Sequence, residues 1–182
     1  MATRKLLVNK SISRKLMAEI AWGEYVQEVR QKRFKKLMQP YLKHGAVKEM
    51  ENYIQHGFTT TKQHCENVAW TCYAMNEKFK LGANDKSLVK VGMLHDLYLY
   101  DWHEKGIRNA LHGYTHAKTA SEKADYYFYL NDKEKAAIRS HMWPLNITKI
   151  PSSREAVILC LADKYCSTME TIYRNTRVKM VK

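Results

Sequence analysis

The stretch Val91-Gly92-Met93-Leu94-His95-Asp96 constrains this chain more than any other. An apolar run at helical spacing ends directly in a histidine and an aspartate. Leu88, Gly92 and His95 share one helical face, so His95 points toward the core beside small and aliphatic residues. A lone carboxylate there costs several kcal/mol, so Asp96 needs a partner. A metal ion satisfies both side chains at once, because neutral imidazole and carboxylate are standard ligands. The remaining ligands must then come from elsewhere in the chain.

The 182 residues suffice for one domain with an extension and a real core. With 45% hydrophobic residues the chain is not disordered, and only 7 glycines and 3 prolines favour an all-α fold. The expected architecture is a helical bundle over 44–182 with a basic N-terminal helical extension over 1–43 packing on it. The formal charge of +13 is concentrated early: between Met1 and Met50, twelve Lys or Arg face four Glu. Such a field suits anionic ligands, from phosphoesters and nucleotides to nucleic acid, and equally describes a solvated surface. Cys65, Cys72, Cys160 and Cys166 form no CxxC pair and read as buried thiols of a reducing compartment. Leu6-Leu7-Val8 is too short for a signal-peptide core, and no apolar run approaches the ~20 residues of a membrane span. A cytoplasmic protein without membrane contact is expected.

In chain order, Ser11 to Gln39 reads as a long amphipathic helix ended by Pro40. A second helix is expected over Ala46–Gln55, closing at Gly57. Thr59-Thr60-Thr61 cap a third that runs to Leu81 with Gly82 as its stop. Asn84 or Asp85 opens the helix that carries His95-Asp96. Trp102 to Tyr114 reads as a polar loop containing His103 and His112. Thr115 caps a helix starting at His116, and Asn131 with Glu134 forms a capping box for a short helix ending near His141. Ser152 with Glu155 opens the last helix. Its run Ala156–Ala162 is apolar on every side, so Asp163, which follows, sits at the core and needs a partner.

The ligand candidates are therefore His64, His95, Asp96, His116, His141 and Asp163. Helices of an antiparallel bundle can aim such side chains at one interior point. The two later histidines would let Asp96 bridge to a second ion.

The order His64 … His95-Asp96 … Asp163 resembles the HD-domain superfamily of metal-dependent phosphohydrolases, an all-helical fold, over roughly Tyr53 to Glu170. His116 and His141 resemble the additional ligands of its two-metal branch. Tyr53-Ile54-Gln55-His56-Gly57, Leu99-Tyr100-Asp101-Trp102-His103 and His141-Met142-Trp143-Pro144-Leu145 look like a bacterial subgroup of these proteins. Where many members carry a lysine three places after the aspartate, this chain has Leu99. Lys118, Arg139 or Lys164, each close in sequence to a ligand candidate, are the basic residues expected to meet the substrate instead.

The resemblance implies one or two divalent ions (iron, manganese, nickel, cobalt or zinc) and hydrolysis of a nucleotide or other small anionic phosphoester. Asp96 would help to hold the ion that activates water, and His103 or His112 would protonate the leaving oxygen. Two rivals stay open. The same ligand order holds a di-iron pair in HD-fold oxygenases, and a nucleic-acid-binding protein with a vestigial site would use the basic arm.

Overall fold

The computed structural model describes the backbone of residues 2–103 and 112–180, and the side chains of residues 19, 21–103 and 112–172. Helix α1 spans Ala2–Leu42. The chain divides into two units, Met1–Lys36 and Leu37–Lys182. Pro40 lies inside α1 and does not end it. Its ring withdraws one backbone donor from the final turn, and the helix runs only to Leu42. Ile12, Leu16 and Ile20, which recur at helical spacing in the sequence, lie outside the described side chains.

The second expected helix is shorter than its pattern. Helix α2 covers Gly45–Glu49 with the His44 side chain accepting from Ala46 N, and a 3-10 turn follows at Met50–Asn52. The chain then extends. Strand β1 (Ile54–His56) pairs antiparallel with β2 (Thr59–Thr60), and Gly57, at φ 63°, turns the hairpin instead of closing a helix. Ile54, Thr59 and Thr60 are β-branched, which favours this outcome over a further helical turn.

Helix α3 (Thr61–Phe79) starts from a capping box in which Thr60 and Gln63 satisfy each other's backbone donors. Lys80, at φ 51°, takes the left-handed closing position two residues before Gly82. Helix α4 (Asp85–Leu94), capped by Asn84, is the centre of the bundle: Leu88, Val89, Val91, Met93 and Leu94 are all fully buried. It packs on α3 and on three later helices: α5 (His112–Phe128), α6 (Asp132–Ser140) and α7 (Arg154–Met180). Helix α5 therefore begins before Thr115, which is an interior residue and not a cap. Of the loop expected over Trp102–Tyr114, residues 104–111 lie outside the described residues. Asn131 and Glu134 do form the capping box of α6.

Helix α7 is capped one residue later than the sequence suggests. Ser153 Oγ, not Ser152, accepts from Ala156 N, and the Glu155 carboxylate instead accepts from Asn84 N. Its apolar run is not buried all round, for Val157 and Leu161 are 45% and 53% exposed. Asp163 nonetheless faces inward. All four cysteines are free and buried. Among the described residues no helix is long and apolar enough to cross a membrane.

Candidate metal centre

Five elements aim polar side chains at one point. His64 comes from the first turn of α3, His95 and Asp96 from the end of α4, His116 from α5, His141 from the C-cap of α6, and Asp163 from α7. None is more than 8% exposed. The ligand atoms of His64, His95 and Asp96 lie within 4.8 Å of one another, as do those of Asp96, His116 and His141. Asp96 belongs to both groups.

The backbone fixes the tautomers. Nδ1 of His95 lies 2.8 Å from Gly92 O, Nδ1 of His116 2.6 Å from His112 O, and Nδ1 of His141 2.7 Å from Ile138 O. A carbonyl only accepts, so each Nδ1 carries the proton and each ring turns its Nε2 inward. His64 follows the same rule with a carboxylate, donating from Nδ1 to Glu170 Oε2 at 2.9 Å. Its Nε2 stands 3.2 Å from Asp163 Oδ1, while Nε2 of His116 and His141 face each other at 3.0 Å. Whenever these rings are neutral, lone pair meets lone pair, and the contacts repel unless a positive centre lies between them. A shared proton would relieve one such pair. A divalent ion in each group would relieve all of them.

Two further atoms make the same point. His95 Nε2 and Asp96 Oδ1 are buried with no hydrogen-bond partner among the described residues. Asp96 Oδ1 lies 3.4 Å from His116 Nε2 and 3.6 Å from His141 Nε2, whereas Oδ2 faces His95 Nε2 at 3.6 Å. An orphaned carboxylate oxygen in a dry interior is costly, and the donor set of imidazoles and carboxylates suits a divalent cation. The residues present therefore fit the metal that their chemistry implies.

Electrostatics are strained in the protein alone. Burial opposes charge on His64, but Asp163 and Glu170 overcome it and raise its pKa to about 9. Burial lowers His141 to about 3. Burial disfavours the Asp96 carboxylate as well, yet His95, His116 and His141 outweigh it and hold the group at about 2. One cluster thus combines a ring driven neutral with an anion kept charged.

Sequence reasoning missed the supports. Gln55, on the β1 strand, donates from Nε2 to Asp96 Oδ2 at 2.7 Å, and Tyr98 OH donates to Gln55 Oε1. Ser167 Oγ donates to Asp163 Oδ1 at 3.2 Å. Asp163, Ser167 and Glu170 stand at i, i+4 and i+7 on α7, a helical stripe that could have flagged the last two. No spacing signals Gln55, because a hairpin brings it in.

Asp96, His116, His141 and Asp163 form the floor of a cavity of about 620 Å³, walled by His56, Trp102, His112, Met142, Pro144, Leu145 and Thr168. His112 stacks on His116 with ring centroids 4.4 Å apart and pairs with Tyr100 OH through Nδ1 at 2.9 Å. Burial lowers its pKa to about 4. His103 does not line the cavity; it is exposed and pairs with Asp101 of its own loop. Neither Lys118 nor Arg139 reaches the centre. Lys118 is exposed beside Glu122, and Arg139 lines a separate cavity with Lys135 and Lys149. Each lies two positions from a ligand candidate on its helix, a rotation of about 200° that turns it to the opposite side. Lys164 does line the cavity, but its ammonium already serves His141 O at 2.9 Å, Cys160 Sγ at 3.3 Å and Cys160 O at 3.5 Å.

No curated protein and no solved structure matches the chain. The family model described as HD domain matches residues 61–168, a stretch that holds all six converging ligand candidates. That family consists in general of metal-dependent phosphohydrolases whose fold is all-α and whose site binds divalent metal. On this match, with the buried His-Asp cluster beneath it, the chain belongs to the HD-domain family.

Proposed function

We propose that the protein is a metal-dependent phosphohydrolase acting on a small phosphoester of nucleotide size or below. The observation that carries this reading is the orphaned Asp96 Oδ1, facing Nε2 of His116 and His141, at the floor of one cavity. A volume of about 620 Å³ is that of a small-molecule site. When bound, divalent cations supply Lewis acidity there, which acidifies water and neutralises phosphoryl oxygens.

The chain's own groups do the rest. Gln55 and Tyr98 lock the Asp96 carboxylate so that its two oxygens face the two histidine groups. Lys164 ties the His141 turn to α7 through the His141 carbonyl, so its support of the site is positional. Trp102, Met142, Pro144 and Leu145 give the cavity apolar walls, which exclude water and suit an aromatic or aliphatic ester group. Of the two histidines considered as proton donors, His112 alone lines the cavity; burial holds its pKa at about 4, so it gives a proton to the leaving oxygen only where the anionic substrate beside it restores its charge.

The test is a screen of phosphomonoesters and nucleotides with added Mn²⁺, Fe²⁺, Co²⁺, Ni²⁺ or Zn²⁺, following phosphate release with oxygen uptake as the control. Metal-dependent phosphate release is the expected result. Metal-dependent oxygen uptake without phosphate would replace it with the oxygenase reading. In the same assay His112→Gln should slow an alkyl phosphate by about 10², the lower range of general-acid contributions. It should slow p-nitrophenyl phosphate, whose leaving group needs no proton, much less.

A further inference from the structure

The two halves of the centre are not supported alike. His95, His116 and His141 each donate from Nδ1 to a neutral backbone carbonyl. His64 alone among the four donates to a carboxylate, Glu170 Oε2, at 2.9 Å. The other oxygen of Glu170 accepts from Asn67 Nδ2 at 3.0 Å, so the carboxylate is held between two residues of α3. Its side chain is only 10% exposed. Glu170 also lies beyond the stretch that the family match covers.

We propose that Glu170, clamped by Asn67, is a positioning residue that makes the His64 half of the centre the tighter of two metal sites. The inference rests on the metal-centre reading above and goes beyond it. A carboxylate behind an imidazole fixes the ring's orientation and makes its Nε2 a stronger donor than a neutral carbonyl does. The same half also faces two anions, Asp96 Oδ2 and Asp163 Oδ1, which stand 3.6 and 3.7 Å from His95 Nε2. Among the described residues, the His116 and His141 half has only Asp96 Oδ1 facing its ring nitrogens at this range, and its rings are backed by neutral carbonyls. More negative charge and a fixed ligand together favour a divalent ion in the first half.

His56, His64 and Glu170 also cluster within 4.8 Å. The hydrogen bond from His64 Nδ1 to Glu170 accounts for that closeness, and Nδ1, once protonated, is not a ligand atom. The cluster is therefore a support of the first half and not a separate ion site.

The test is Zn²⁺ titration of the full-length chain against a competing chelator, with thermal unfolding of the metal-free protein alongside. The wild type should bind two ions in unequal steps, and His116→Ala should retain only the tighter. In that background Glu170→Ala should weaken the remaining step by about 10–100-fold, the usual cost of losing such an outer partner. Glu170→Gln keeps an acceptor oxygen for the His64 proton without the charge, and should recover part of the loss. Metal-free unfolding of the Gln variant should stay cooperative, with a midpoint above the titration temperature but below its parent's, because the charge facing His64 and one of the two acceptor oxygens are gone. An unchanged first step in Glu170→Ala, or equal weakening of both steps in the two-site protein, would overturn the proposal. Failure of the wild type to bind Zn²⁺ at all would overturn the metal-centre reading itself, a result distinct from either.

Discussion

Asp96→Asn is expected to abolish binding in both halves of the centre, and the activity with it. The effect exceeds the loss of one ligand: the half that holds His64 and His95 loses a carboxylate charge and keeps only a neutral amide oxygen, and in the other half the amide's orientation is dictated. Gln55 Nε2 donates to Oδ2, so the single amide oxygen of an asparagine must take that place. Its NH₂ group then replaces Oδ1 and points toward Nε2 of His116 and His141, which lie 3.4 and 3.6 Å from that position. The new N–H donors satisfy the bare ring nitrogens that otherwise need a cation. The metal-free variant should be at least as stable as the wild type while losing its ions. An ion present at 100 times its dissociation constant stabilises by about 2.7 kcal/mol. For a chain of this size that raises Tm by roughly 5–10 °C per ion. Two ions should therefore lift the wild type by about 10–20 °C and Asp96→Asn by almost nothing. Equal metal-induced shifts in the two proteins would remove Asp96 from the centre. His116→Ala should retain about half of the gain, since His116 faces only Asp96 Oδ1 and His141.

The convergence of six polar side chains was legible in the sequence because burial was. A histidine on an apolar face and an aspartate after an apolar run need a partner wherever the helices go, and that argument requires no tertiary detail. It held for Asp163 even though Val157 and Leu161 are exposed, because Ala156, Leu159 and Ala162 carry that face of α7 inward. Directions across helices were not legible. Lys118 and Arg139 are near ligands in sequence but turned away in space, and nearness along a helix says nothing without its phase. The hairpin from Ile54 to Thr60 was hidden by its brevity, and with it Gln55, whose partner lies 41 residues on. Capping boxes were readable at Asn131, where the pattern is unique, and ambiguous at Ser152 and Ser153, where two adjacent serines compete for one role.

Gly92→Ala should destabilise the protein, although in an ordinary helix that change stabilises by about 0.5–1 kcal/mol. A Cβ built on Gly92 would stand 2.7 Å from Ala69 Cα, 3.0 Å from Ala69 N and 3.2 Å from Ala69 Cβ. Two of these atoms are backbone, so no rotamer change can clear them, and α3 and α4 must separate. Overpacking of this kind costs about 1–3 kcal/mol. That corresponds to a fall in Tm of roughly 2–12 °C for a chain of this length. Gly92→Val adds two further methyl groups at the same place and should exceed that range, to the point of losing soluble folded protein. The separation also acts on the metal centre, because α3 carries His64 and the residue after α4 is His95. Gly92→Ala should therefore weaken metal binding as well as folding, which a remote core defect would not do. Ala69→Gly removes only the contact at 3.2 Å and leaves the two closer ones, so the double variant should recover little. Full recovery in the double variant would show that the Ala69 side chain, and not the backbone of α3, sets the distance between these helices. Stabilisation by Gly92→Ala would show that they do not meet there at all.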